Sequence, residues 1–166
     1  EEAATLPHSA ILAIQGLRLR DGRTIKAGDH VLVDGASGNV GPFAVQVAKA
    51  LGAKVIAMVH RPSAVEFVES LGADVVLPLT EGWLDTVKKE TGGRGVDVVV
   101  DPVGGQAFDV AVRVLATEGR LLVIGFVGLR LVDVDVVVVF GAGGADVGHG
   151  ASGPLGQDGE RRPSGG

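Results

Sequence analysis

Short apolar runs alternate with segments of helical spacing along residues 31–125. The run at 96–101 is rich in valine, and the other runs carry few polar residues. Strands of this kind are buried on both faces, which is typical of a parallel sheet covered by helices on either side. Because crossovers between parallel strands are right-handed, the pattern predicts a doubly wound α/β fold.

The expected strands are residues 31–34, 54–59, 74–77, 96–101 and 120–125. Helical spacing of apolar residues predicts helices around 43–51, 65–71, 84–87 and 107–115. Residues 51–53 and 71–73 both have the sequence Leu-Gly-Ala, in which the glycine suits a helix C-terminus before a strand. A repeated strand–helix unit follows from this spacing.

Four segments make up the expected organisation, with a single folded domain at its centre. Residues 1–30 are interpreted as a lead-in helix and turn, and residues 31–126 as the α/β domain. Residues 127–140 are uncertain, with a sixth strand as an option within 132–140. Ten of the 26 residues from 141 to 166 are glycine, so this tail is expected to be disordered.

Composition argues against several classes of partner. The net charge of −5, with scattered Lys and Arg, argues against nucleic acid. No apolar run approaches the roughly 20 residues that cross a bilayer, so no membrane partner is expected. The chain has no cysteine, which argues against a disulfide framework and predicts a cytoplasmic location without a thiolate metal site.

A glycine-rich turn stands between the first expected strand and its helix, with the residues Gly35, Ala36, Ser37, Gly38, Asn39, Val40 and Gly41. It is a variant of G-x-G-x-x-G with Ala36 at the first glycine position. Such a turn lets a pyrophosphate approach the backbone at Gly38 and lets the helix pack closely at Gly41. Backbone N–H groups at the helix N-terminus then bind the phosphates, which predicts a Rossmann-type dinucleotide site.

The end of the second strand distinguishes the two nicotinamide dinucleotides. An acid there binds the adenine ribose of NAD, whereas a cation accommodates the 2′-phosphate of NADP. His60 and Arg61 occupy this position, and no acid occurs between Lys54 and Ala64. NADP(H) is therefore the expected cofactor, although Arg61 at a helix start could also have a purely structural role.

Two further loops follow strands at the same edge of the sheet. Asp101 ends the fourth strand and is followed by Val103 and Gly104, and Gly125 ends the fifth and is followed by Phe126. Ligands of open α/β sheets bind outside the carboxyl ends of the strands, so these residues are expected to flank the nicotinamide. Ordinary strand-ending turns are the alternative interpretation.

Several ordered blocks of sequence resemble the medium-chain dehydrogenase/reductase family, especially its quinone reductase and alcohol dehydrogenase-like branches. The resemblance spans residues 3–126 and includes AATLP at 3–7, AGDHVLV at 27–33, the glycine turn through VQVAK at 45–49, LGAD at 71–74, GRGVD at 93–97 and EGRLL at 118–122. It implies an oxidoreductase that transfers hydride between NADPH and a quinone, enone, aldehyde or alcohol.

The chain departs from the family pattern in ways that limit what the resemblance implies. Ala64 stands where relatives often have a lysine, so the 2′-phosphate would depend more on Arg61. The family's substrate domain is not recognisable, so catalytic residues are not assigned, and a small-molecule substrate would bind only with that domain present. His8 lies near a position where zinc-dependent relatives supply a ligand, but without a second ligand no metal site is predicted. A non-catalytic nucleotide-binding module or an inactive remnant is the alternative, and a homodimer is an option.

Overall fold

A computed structural model describes residues 9–11, 13, 14, 16, 17, 24–80, 82–104, 111–124 and 136–138. Near the N-terminus, residues 9–11, 13, 14, 16 and 17 are helical, and two of them, Ala13 and Leu17, are buried in the core. The tail at 141–166 and the site residues Gly125 and Phe126 lie outside the described residues.

The strands form one parallel sheet with the order β3-β2-β1-β4-β5-β6. Their bounds are β1 His30–Val33, β2 Lys54–Val59, β3 Val75–Pro78, β4 Val96–Asp101, β5 Leu115–Val123 and β6 Val136–Val138. The strand order reverses between β1 and β4, as in dinucleotide-binding folds, where the ligand crevice opens at this reversal. The prediction of a Rossmann-type doubly wound sheet is therefore confirmed.

Three helices with defined bounds connect the strands, namely α1 Gly41–Ala50, α2 Val65–Ser70 and α3 Trp83–Glu90. A short 3-10 turn, Pro62–Ala64, precedes α2, and residues 111–114 are also helical. Gly52 and Gly72 have φ values of 83° and 95°, the left-handed conformation that ends α1 and α2 at the repeated Leu-Gly-Ala joints.

Each face of the sheet has its own apolar core. Val31, Val33, Val98 and Val100 face the side covered by α1 and α2. Leu32 and Val99 point to the other side, where they share a cluster with residues of α3 and of the helical segment at 111–114. This alternation along β1 and β4 buries both faces, as the continuous apolar runs predicted.

Most expected strands agree with the structure to within one residue, but the fifth does not. It was expected to begin at residue 120, whereas β5 begins at Leu115, which pairs with Val96 before the register shifts. Glu118 has a φ of 64°, a conformation that favours glycine. Because the strand is irregular here, the sequence pattern did not indicate its first half. The sixth strand left open within 132–140 corresponds to β6.

Candidate functional site

The loops after β1 and β4 meet at the reversal of strand order. Gly35 has a φ of 59°, and a Cβ atom on it would lie 3.0 Å from Cγ2 of Val103. The positive φ and the close contact both favour glycine at this position. The two loops therefore pack directly against each other at the carboxyl edge of the sheet.

The turn itself is held by backbone hydrogen bonds. Ala36 N–H donates to the Met58 carbonyl of β2 at 2.9 Å, and Gly38 N–H donates back to the Gly35 carbonyl at 2.8 Å. Among the described non-glycine residues only Glu118 has a positive φ, so Ala36 is unstrained at the first glycine position of the motif. The left-handed residue of this turn is Gly35, which explains why alanine is acceptable next to it.

Several N–H groups of the turn remain available for a ligand. No hydrogen bond within the described part of the chain uses the N–H groups of Ser37, Asn39 or Val40. They precede α1, whose first turn has no side-chain cap and no acidic residue. Unpaired N–H groups and the positive end of a helix dipole favour a bound anion.

Two glycines of the motif leave room for close approach. A Cβ atom on Gly41 would lie 2.6 Å from Cα of Ala36, so only glycine lets α1 start this close to the turn. Gly38 is exposed, and a Cβ there would meet the Gly35 carbonyl oxygen at 3.1 Å. Gly41 thus serves packing, whereas Gly38 keeps the solvent side of the turn open.

A cation follows β2 at the same edge of the sheet as this turn. Arg61 is exposed, and its guanidinium forms no hydrogen bond or ion pair with the described residues. Its backbone is extended, with φ −119° and ψ 123°, as expected for a residue before proline. Ala64, three residues later, is buried in the core and offers no polar group.

His60 is engaged by a carboxylate of the neighbouring strand. Its Nε2 lies 3.4 Å from Oδ1 of Asp34, the residue that directly follows β1. Asp34 Oδ1 also accepts the N–H of Gly35 at 2.8 Å. Burial and the charge of Asp101 raise the pKa of Asp34, while His60 and the Gly35 N–H partly offset this effect.

Asp101, at the end of β4, is fully buried. Its Oδ1 accepts the N–H groups of Val103 at 2.8 Å and Gly104 at 2.7 Å. This pattern shapes the loop after β4, with Gly104 at a φ of 69°. The Asp101 side chain therefore holds the loop from inside and does not face the solvent.

The structure brings the predicted residues of β1, β2 and β4 to one edge of the sheet. Asp34 was not among the predicted site residues, although it connects the turn to His60. One signal was available, because Asp34 and Asp101 each directly follow an apolar strand run, Val31–Val33 and Val98–Val100. Adjacent parallel strands bring two such residues side by side.

The described residues contain neither a metal-binding cluster nor a membrane-spanning helix. Within the described residues, no three His, Cys, Asp or Glu side chains come together in a way that could hold a metal ion. None of the helices in that part of the chain is long and apolar enough to cross a membrane.

Known proteins resemble this chain in sequence. Prostaglandin reductase-3 of Mus musculus is 40% identical over 111 residues, which cover 67% of this chain and 29% of the mouse protein. Quinone oxidoreductase-like protein 2 of the same species is 39% identical over 139 residues, covering 81% of this chain and 38% of that protein. The chain thus spans well under half the length of these relatives.

Solved structures resemble it as well. A probable oxidoreductase from Mycobacterium abscessus is 50% identical with a TM-score of 0.64, over 81% of this chain and 40% of that chain. A mycobacterial protein solved in complex with NADPH is 31% identical with a TM-score of 0.68, over 79% of this chain and 43% of that chain.

One family profile covers most of the chain. The profile described as zinc-binding dehydrogenase matches residues 39–146, so the match continues past residue 126, where the recognisable motifs end. The chain therefore belongs to the zinc-binding dehydrogenase family, within the medium-chain dehydrogenases/reductases.

Proposed function

We propose that this chain binds NADP(H) at the carboxyl edge of its sheet. In this proposal it is the nucleotide-binding domain of an oxidoreductase that transfers hydride between NADPH and a quinone, enone, aldehyde or alcohol. The observation that carries the proposal is the row of N–H groups at Ser37, Asn39 and Val40, which have no partner in the described part of the chain and precede a helix without a side-chain cap. These groups are donors of the kind that hold a pyrophosphate.

The residues of the turn fit a dinucleotide. Gly38 leaves the backbone open on the solvent side, and Gly41 brings the positive end of α1 close to the turn. The loop of Val103 and Gly104 packs against Gly35 of the turn and would flank the nicotinamide, together with Gly125 and Phe126. The bound cofactor supplies the hydride chemistry, whereas this chain binds and orients it.

Arg61 supports the choice of NADP(H) over NAD(H). Its exposed guanidinium has no partner among the described residues and can offer two N–H donors to a 2′-phosphate. Asp34, the acid that contacts neighbouring His60, is buried and uses its Oδ1 for Gly35 and His60, so it does not serve as a ribose acceptor. His60 would lie beside the same phosphate.

The substrate classes rest on the relatives, which are named as prostaglandin reductase and quinone oxidoreductase-like proteins. Turnover would need the remaining part of such a protein, since this chain spans 29% and 38% of the two relatives. Zinc has no assigned role, because the sequence lacks cysteine and the described residues do not fit a metal ion.

Calorimetric titration of the Arg61→Gln variant tests the cofactor assignment. Loss of hydrogen bonds to a charged group costs about 1.5 to 3 kcal/mol, so NADPH affinity should fall about 10- to 100-fold. NADH affinity should change little, because NADH lacks the 2′-phosphate.

Lys54→Gln is a matched control, because Lys54 is an exposed cation at the opposite end of the same strand. It should leave NADPH affinity within about twofold, since exposed charges beyond a Debye length of about 10 Å are largely screened. Equal losses of NADPH affinity in both variants would show that the effect comes from the net charge of the protein and not from a contact of Arg61. Unchanged Trp83 fluorescence and melting temperature of the unmodified chain at millimolar NADPH would contradict the site itself.

A further inference from the structure

Two buried carboxylate oxygens in this protein have no hydrogen-bond partner among the described residues. They are Oδ2 of Asp34 and Oδ2 of Asp101, and both side chains are almost completely buried. A buried acceptor without a donor is costly, and two ionised carboxylates in such a place would also repel each other. The pair therefore needs a donor.

The sheet places the two carboxyl groups side by side. Val33 pairs with Val100, and the Asp34 N–H continues the ladder by donating to the Val100 carbonyl at 3.0 Å. Asp34 and Asp101 are the next residues along each strand, so they lie on the same face, and neighbouring strands are about 4.8 Å apart. Two carboxyl groups at this spacing can reach each other with their free oxygens.

The backbone contacts distinguish the two groups. Asp101 Oδ1 accepts two backbone N–H groups, from Val103 at 2.8 Å and from Gly104 at 2.7 Å. Asp34 Oδ1 accepts one backbone N–H, from Gly35, and its second contact, to His60 Nε2, is longer at 3.4 Å. Short hydrogen bonds stabilise the charged carboxylate form more than long ones. Asp101 is thus the better acceptor, and Asp34 is the better carrier of a proton.

We propose that Asp34 and Asp101 share one proton, so that Asp34 Oδ2–H donates to Asp101 Oδ2. This single hydrogen bond provides partners for both unpaired oxygens. Each Oδ1 holds a loop of the crevice, Gly35 on one side and Val103 and Gly104 on the other, so the shared proton ties these loops together. The two aspartates are positioning residues for these loops, and their hydrogen bond does not require a bound nucleotide.

The surroundings of Asp34 favour its protonated form. Burial is the main cause that raises the pKa of Asp34, and the charge of Asp101 adds to it. Among the described residues, the ionisable groups that act on Asp34 are Asp101 from β4 and His60 after β2. His60 opposes the shift through its charge and its contact with Oδ1, but Asp34 stays above its usual pKa.

The shared proton makes stability depend on pH in a defined direction. The folded state keeps a proton that the unfolded chain releases above the ordinary Asp34 value of 3.8. The folding equilibrium constant should therefore fall as pH rises from 3.8 to the raised folded pKa, by up to about tenfold per pH unit. Above that folded pKa the dependence should level off.

Chemical denaturation of the full chain between pH 4 and 8 tests this, with Asp34→Asn as the main variant. The amide donates to Asp101 Oδ2 at every pH, so the decrease of the folding equilibrium constant with rising pH should disappear. Two controls should retain it: Asp85→Asn, at an exposed aspartate of α3, and His60→Gln, which removes the only other ionisable group acting on Asp34 within the described residues.

Infrared spectroscopy of protein with 13C-labelled aspartate provides a measurement that does not depend on a variant's stability. Exposed aspartates lose the carbonyl band of the protonated acid around their ordinary pKa of about 3.9. In a pH titration the wild type should keep the band of one protonated aspartate to higher pH than the exposed aspartates, and Asp34→Asn should lack this late component. A wild type whose aspartates all lose the band together, or an Asp34→Asn variant with the unchanged pH dependence and late band, would overturn the proposal.

Discussion

The aspartates at the two edges of the sheet differ in their hydrogen-bond partners. At the amino edge, Asp74 accepts the N–H of Val55 at 2.6 Å and pairs with Lys49 at 2.8 Å. Asp97 likewise accepts the N–H of His30 at 2.8 Å and forms a two-pronged contact with Arg94. At the carboxyl edge, Asp34 and Asp101 bind backbone N–H groups with one oxygen each and leave the other without a described partner.

This difference distinguishes an edge that stabilises the fold from one that can bind a ligand. The amino edge joins neighbouring strands through carboxylates that also have cations as partners. The carboxyl edge presents N–H groups of Ser37, Asn39 and Val40 and a guanidinium of Arg61 that have no partner among the described residues. Unused donors of this kind are expected where a charged ligand provides the acceptors.

The pKa values of the aspartates follow the same division. Burial pushes the pKa of Asp74 upward, but hydrogen bonds from Lys49 and the Val55 N–H outweigh it and leave the pKa below its usual value. Hydrogen bonds from Arg94 lower the pKa of Asp97 against the effect of burial. Burial and Asp101 raise the pKa of Asp34 instead, so the two edges should respond to pH in opposite directions.

The largest expected effect at the carboxyl edge comes from Gly41→Ala. The added methyl would press on backbone atoms of Ala36, which cannot move without shifting the turn. Overpacking of this kind costs about 2 to 3 kcal/mol, to be measured as the free energy of unfolding in urea.

Gly38→Ala is the matched control, because Gly38 is exposed and its φ is not in the left-handed region. Its stability should fall by only about 1 kcal/mol, because the added Cβ would meet the Gly35 carbonyl oxygen at 3.1 Å, a milder overlap than at Gly41. Its NADPH affinity should nevertheless fall, since the methyl lies where the phosphates approach. Equal stability losses at both positions would remove the distinction between packing and binding within the turn.

A smaller effect is expected at the amino edge from Asp74→Asn. The lowered pKa of Asp74 means that its contribution is present above the ordinary value of 3.8 and is lost as pH falls through the folded pKa. The side chain is 43% exposed, so solvent screening limits the loss in the variant to about 0.5 kcal/mol at neutral pH. The free energies of unfolding of the variant and the wild type should become equal in acid. A difference that grows as pH falls would contradict the role given to the ionised Asp74 carboxylate.

Local patterns in the sequence were sufficient to predict much of the fold. The bounds of β2 and β4 follow from apolar runs with clear flanking turns, and the turn at 35–41 follows from its glycines. The early start of β5 depends on pairing between Leu115 and Val96, a non-local contact that helical spacing around 107–115 obscured. The Asp34–His60 contact was missed for the same reason, because it depends on which strands are neighbours.

Backbone amide NMR during a titration with NADPH tests the binding edge most directly. The account predicts that the amide signals of Ser37, Asn39 and Val40 shift as the phosphates accept their N–H groups, while those of Val55 and His30 at the amino edge stay in place. Saturating NADPH that leaves the three turn signals unmoved, or that shifts the amino-edge signals instead, would contradict it.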